Sequence, residues 1–157
     1  MSRNRNQACA SCHSLNPVGA TGNAGSNFAP GFVDPVNVRK NNTVSTGSII
    51  GRNGVLNAPS VGYTAYSPLF DWDSKEGLYV GGQFWNGRTK NLTEQAKIPF
   101  LDPSEMAMPS QWAVVSRLQE NPTYRQLFRS AFLLDLASVP KLPNSNTNIT
   151  KTPDLVT

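Results

Sequence analysis

The chain of 157 residues contains one histidine and two cysteines, and these scarcities bound its chemistry more tightly than anything it has in abundance. A zinc site built from protein side chains needs about four ligands, so Cys9, Cys12 and His13 would have to recruit a carboxylate, an uncommon arrangement for a structural site. Bis-histidine ligation of a metal within the chain is excluded, because His13 has no counterpart. No apolar run approaches the roughly 18 to 20 residues that span a bilayer, so no membrane span is expected. The 14 basic residues, against 10 acidic ones, are scattered singly and form no stripe, and nucleic acid is not expected as a partner. No internal repeat is found, and residues 1–7 lack the apolar segment of an export signal.

What is abundant points to a loop-heavy domain. Twelve Gly, twelve Pro and many Asn, Ser and Thr suggest a few helices separated by long irregular connections, and 17.1 kDa is enough to bury one core. A short helix is expected over residues 7–15, ended by Pro17 and Gly19. Residues 18–48 read as a long loop, and residues 49–66 have too little periodicity to assign. Asn91 can cap a helix over 92–98 that Pro99 stops, and the three prolines of residues 99–109 predict an ordered turn or rigid loop. Ser110 can cap a helix over 111–120 with Trp112, Val115 and Leu118 on one face. Asn121 followed by Pro122 opens a last helix to about residue 136, with Tyr124, Leu127, Phe128, Ala131 and Phe132 on its inner side. The expected organisation is one domain over 1–138 and a Pro/Asn/Thr-rich extended or disordered tail over 139–157.

The scarce residues stand together. Cys9-Ala10-Ser11-Cys12-His13 is a C-x-x-C-H sequence: thiols three positions apart on a helical turn reach both vinyl groups of one porphyrin, and the adjacent imidazole faces the iron. A thioredoxin-like pair would need a βαβ context that this sequence lacks, and a structural disulfide explains the cysteines but not the histidine. The motif therefore predicts one covalent haem c held by Cys9 and Cys12 with His13 as axial ligand. The fold expected with it is all-α, a c-type cytochrome domain whose few helices and long loops wrap one haem. Two options stay open for the opposite face of the iron. Met106 or Met108 could ligate it, giving an electron-transfer cytochrome, or the position could be open for chemistry; both methionines read equally well as core packing. Covalent haem attachment in bacteria takes place outside the cytoplasmic membrane, so a periplasmic or otherwise exported location is expected, with the leader removed or lying outside this fragment.

Further residues share a pattern. Arg52-Asn53 with Asn57-Ala58-Pro59, Phe84-Trp85-Asn86-Gly87-Arg88, Leu92 with Gln95-Ala96, and Pro99-Phe100-Leu101-Asp102-Pro103-Ser104-Glu105-Met106 follow the haem motif, and Tyr124, Phe128 and Ala131-Phe132 close the series. In this order, over residues 7–133, the chain resembles the amino-terminal haem domain of the bacterial di-haem cytochrome c peroxidase superfamily, which includes the methylamine-utilisation di-haem enzyme. The block from Trp85 to Met106 is the specific part. The resemblance implies that His13 is the proximal ligand of a peroxide-reacting haem, that Gln95 and Glu105 lie in its distal pocket, and that Trp85 sits between this haem and a second one. A carboxyl with a raised pKa can take a proton from bound hydrogen peroxide and return it to the leaving oxygen, the role implied for Glu105. Gln95 would orient the peroxide, and Trp85 offers an oxidisable indole. Arg52 and Arg88 could pair with haem propionates or serve the surface. The ordinary readings are core packing for Trp85, a solvated helix position for Gln95, and for Glu105 a partner of Arg88 or a cap in its turn.

The sequence also departs from that family. It has no histidine to serve as a reversible distal ligand, no second C-x-x-C-H domain, and no helix before the haem motif. The expected partners are therefore a haem-bearing second domain or subunit, an electron-donor cytochrome or cupredoxin, and hydrogen peroxide. The expected function is that of a peroxidatic haem domain. The alternatives are a monohaem electron-transfer cytochrome c with His/Met ligation, and a non-catalytic remnant.

Overall fold

The computed structural model describes residues 1–13 and 42–140. The element order among them is α1 (Cys9–Cys12), a 3-10 turn (Thr64–Tyr66), β1 (Asp71–Asp73), β2 (Leu78–Val80), α2 (Leu92–Gln95), α3 (Ile98–Leu101), α4 (Gln111–Gln119), α5 (Pro122–Phe132) and a second 3-10 turn (Leu136–Ser138). The expectation of an all-α fold is not met. Helical residues make up 34% of those described, and β1 and β2 form an antiparallel sheet.

The hairpin arises from local chemistry. Asp73 Oδ1 accepts hydrogen bonds from the backbone N–H groups of Lys75 and Glu76, at 2.8 and 3.2 Å, so the aspartate side chain closes the turn as an Asx motif does. Gly77, at φ 68°, returns the chain and donates to Asp73 O at 2.8 Å. The register pairs Asp71 with Val80, Trp72 with Tyr79 and Asp73 with Leu78. Gly81 follows at φ 76°, where a Cβ would lie 2.4 Å from Pro68 O; only glycine lets the strand exit press against that carbonyl.

The helix starts follow their caps. Asn91 accepts from Glu94 N at 2.9 Å, Ser110 from Ala113 N at 3.1 Å and Asn121 from Thr123 N at 2.9 Å, each satisfying a donor that the first helical turn leaves unpaired. Pro99 was expected to stop a helix, but it stands in the first turn of α3, where its missing N–H costs nothing. The last helix ends at Phe132, with its C-cap Leu133 held at φ 55°, four residues short of the expected position. Its face of Tyr124, Leu127, Phe128 and Phe132 is assembled as expected but not buried: with Leu118, Ala131 and Leu136 it lines an apolar cleft of about 220 Å³. The core lies elsewhere, in Met106, Ala107 and Met108 and in Leu136 and Val139. Gln119 clamps the second group, donating to Leu136 O at 2.6 Å and Val139 O at 2.8 Å. Most of the loop expected over 18–48, the end of the helix expected over 7–15, and all of the tail beyond residue 140 lie outside the described residues.

Candidate haem site

The motif folds as one helical turn. Ser11, between the cysteines, accepts from Ala8 N through its hydroxyl at 3.0 Å, and His13 N donates to Cys9 O at 2.9 Å. The turn is thus closed at both ends by groups within the motif. Cys9 is exposed, Cys12 is half-buried, and His13 is half-buried just after the turn. Among the described residues no cluster of three or more His, Cys, Asp or Glu is placed to hold a metal ion through side chains alone. The donor set, two thiols and an imidazole on one turn, fits a c-type haem.

A part-buried polar lattice centred on Ser48 ties the segment before this turn to the segment that carries Glu105. Ser48 is fully buried at 0% exposure. Its hydroxyl donates to Asn6 Oδ1 at 2.8 Å and accepts from Asn4 N at 3.1 Å, while its carbonyl accepts from Asn4 Nδ2 at 2.9 Å and Asn6 Nδ2 at 3.1 Å. Its N–H donates to Glu105 O at 2.7 Å, and Arg3 N donates to Met106 O at 2.9 Å. Gly47 makes the approach feasible: a Cβ there would lie 2.5 Å from Ser104 O. Asn4, Asn6, Gly47 and Ser48 were not singled out from sequence; serines and asparagines in a polar stretch carry no signal of their partners.

Residues 102–108 fold back on α3 as a tight turn. Asp102 O accepts from Glu105 N at 3.0 Å and from Ala107 N at 2.9 Å, and Asp102 Oδ1 accepts from Ser104 N at 2.7 Å. The capping role in this turn therefore belongs to Asp102, not to Glu105. Glu105 is half-buried. Burial holds its carboxyl above the usual carboxylate range, the Asp102 charge adds to this, and Arg88 opposes it. Met106 and Met108, at 7% and 4% exposure, are enclosed by protein as core residues.

The other sequence-derived residues lie around this frame. Gln95 ends α2 and is half-buried. Trp85 is 65% exposed, which is not core packing, and its indole N–H donates to Asn57 O at 2.8 Å. Its turn is closed by Gln83 N donating to Thr89 O at 2.9 Å, with Phe84 held at φ 64°. Arg88 stacks on the Phe84 ring, 3.3 Å from its centroid, and donates to Asn86 Oδ1 at 3.3 Å, a cation–π contact that holds the guanidinium in place. Arg52 has an exposed side chain, and its carbonyl accepts from Gly47 N at 2.7 Å. It thereby braces the loop of Ser48.

The site thus joins a C-x-x-C-H turn, whose donors fit a c-type haem, to a half-buried carboxyl of raised pKa. Residues 1–152 match the model of the di-haem cytochrome c peroxidase family, and the chain belongs to that family. It is 41% identical over 132 residues to the methylamine utilization protein MauG of Paracoccus denitrificans (strain Pd 1222), covering 84% of this chain and 30% of that protein. It is 28% identical over 125 residues to the cytochrome c peroxidase Ccp of Escherichia coli (strain K12), covering 80% and 20%. Among solved structures, the diheme peroxidase BthA from Burkholderia thailandensis E264 superposes with a TM-score of 0.62 at 29% identity, over 86% of this chain and 30% of that one. The chain therefore spans less than a third of the length of these relatives. Among the described residues no helix is long and apolar enough to cross a membrane.

Proposed function

We propose that this chain is the peroxidatic haem domain of a di-haem cytochrome c peroxidase-like oxidoreductase that reduces hydrogen peroxide. The observation that carries the reading is Glu105: a half-buried carboxyl with raised pKa, on a turn hydrogen-bonded through Ser48 to the segment leading into Cys9-Ala10-Ser11-Cys12-His13. Cys9 and Cys12 would hold the haem and His13 would be its proximal ligand; when bound, the haem supplies a redox-active iron that accepts peroxide. Glu105 would take the first proton of the peroxide and return it to the departing oxygen, which a carboxyl tuned toward neutrality does in both directions. Gln95 would orient the peroxide by hydrogen bonding. Trp85, pinned by Asn57 and open to the surface, would pass electrons from a second haem on a further domain or partner subunit.

Met106 and Met108 pack in the core, and neither is assigned to the iron. Arg52 and Arg88 remain the candidates to pair with haem propionates. The setting proposed is the periplasm, with a cytochrome or cupredoxin as electron donor. A high-spin ferric spectrum that converts on cyanide addition is the expected result for the haem-loaded chain. A low-spin spectrum with a methionine-to-iron band, lost in Met106→Ala or Met108→Ala, would establish the electron-transfer reading instead, and a chain without haem stain after denaturing electrophoresis would mark a remnant.

A further inference from the structure

Away from the haem motif, the β1–β2 hairpin carries an indole and a phenol in contact. Trp72 and Tyr79 oppose each other across the strands, edge to face, with centroids 5.2 Å apart and planes at 72°. Tyr79 also lies flat on Phe70, at 5.2 Å and 8°. Phe70 is the inner end of the ladder. A Cβ at Gly87 would meet its ring carbons at 2.9 Å, so the ring fills the hollow of the turn that carries Trp85. The outer end stands in water, with Trp72 52% and Tyr79 62% exposed.

Such pairs stabilise hairpins by packing, and packing needs neither an indole nor a phenol. What distinguishes Trp72 and Tyr79 is that each can lose an electron at a potential a peroxidase can reach, and that they touch. Electron transfer between aromatic rings in contact is fast because orbital overlap falls steeply with distance. Their exposure lets a large molecule meet them without entering the protein.

We propose that Trp72 and Tyr79 form a surface oxidation site for phenolic electron donors too bulky to reach the haem, connected to the Trp85 turn through Phe70. The proposal rests on the peroxidatic reading above, with hydrogen peroxide as oxidant. An electron leaves the pair toward the Trp85 turn, and the Tyr79 phenol releases its proton to water. The hole rests on the Tyr79 phenoxyl in exchange with Trp72. A donor phenol then delivers one electron and one proton, restoring Tyr79 and leaving as a phenoxyl radical. Two such events match one peroxide, which takes two electrons and two protons to become two waters.

The ladder can be tested without the haem. Azide radicals generated by pulse radiolysis oxidise exposed indoles directly. In the full chain, decay of the indolyl band with matched first-order growth of a phenoxyl band is expected. That growth is lost in Tyr79→Phe and in Trp72→Phe, which both keep an aromatic ring in the stack, and retained in Tyr124→Phe. Growth unchanged in Tyr79→Phe overturns the proposal. With the haem-loaded chain, peroxide and a nitroso spin trap, adducts mapped by peptide mass spectrometry to Trp72 or Tyr79 support it. A haem spectrum that responds to peroxide while the hairpin carries no adduct overturns it. A spectrum that ignores peroxide, with radiolytic transfer intact, contradicts the peroxidatic reading and leaves the redox pair standing.

Discussion

Replacing Ser48 by alanine removes one hydroxyl from the joint between the haem motif and the Glu105 turn. The backbone bond from Ser48 N to Glu105 O and the two bonds accepted by Ser48 O survive, since they use main-chain atoms. Asn4 N loses its acceptor at 3.1 Å, and Asn6 Oδ1 loses its donor at 2.8 Å but keeps Ser2 Oγ at 3.0 Å. A hydrogen bond contributes about 0.5–1.5 kcal/mol net, and a buried donor left unpaired costs about 1–3 kcal/mol. Because Asn4 is itself exposed, the low end applies to its N–H, and the sum is roughly 1.5–2.5 kcal/mol. For a chain of this size that is a fall in Tm of about 3–10 °C. Urea unfolding of the haem-loaded protein followed by far-UV circular dichroism should show a lower midpoint with an unchanged slope. A loss below about 0.5 kcal/mol, the level of an ordinary surface substitution, would show that the lattice does not hold the two segments together.

Gly81→Ala should destabilise more than Ser48→Ala or prevent folding, because a Cβ there meets Pro68 O at 2.4 Å at φ 76°; thermal unfolding measures it. The raised pKa of Glu105 also has a sign. The folded state holds this proton where the unfolded chain has released it, so Glu105's contribution to stability is fully present below the usual carboxylate range and is lost as pH rises through its raised value. Denaturation midpoints across that window should fall in the wild type, and the fall should be smaller in Glu105→Gln; identical slopes would refute the assignment.

Features governed by neighbours in sequence were legible. Asn91, Ser110 and Asn121 cap the helices they were expected to cap, because a cap reaches only two or three residues. The hairpin was missed: strands of three residues give too short an alternation to register, although Asp73 and Gly77 bracketing a turn were visible. Pro99 misled because the residue that ends one helix also suits the first turn of the next. At the candidate site, the attachment motif was proposed from spacing alone, and Glu105, Gln95 and Trp85 only from resemblance. Ser48 was illegible by either route, since its Asn4 and Asn6 partners lie 44 and 42 residues away. The open face of α5 shows the limit of periodicity: it reveals which residues share a side, not what covers them.

The most direct test of the central claim is the rate at which hydrogen peroxide changes the haem spectrum of the loaded chain in stopped flow, wild type against Glu105→Gln. A proton-transferring carboxyl contributes about 10²–10⁴-fold. A loss of that size is expected in the variant, with the resting spectrum and haem content unchanged. Equal rates in the two proteins would contradict it.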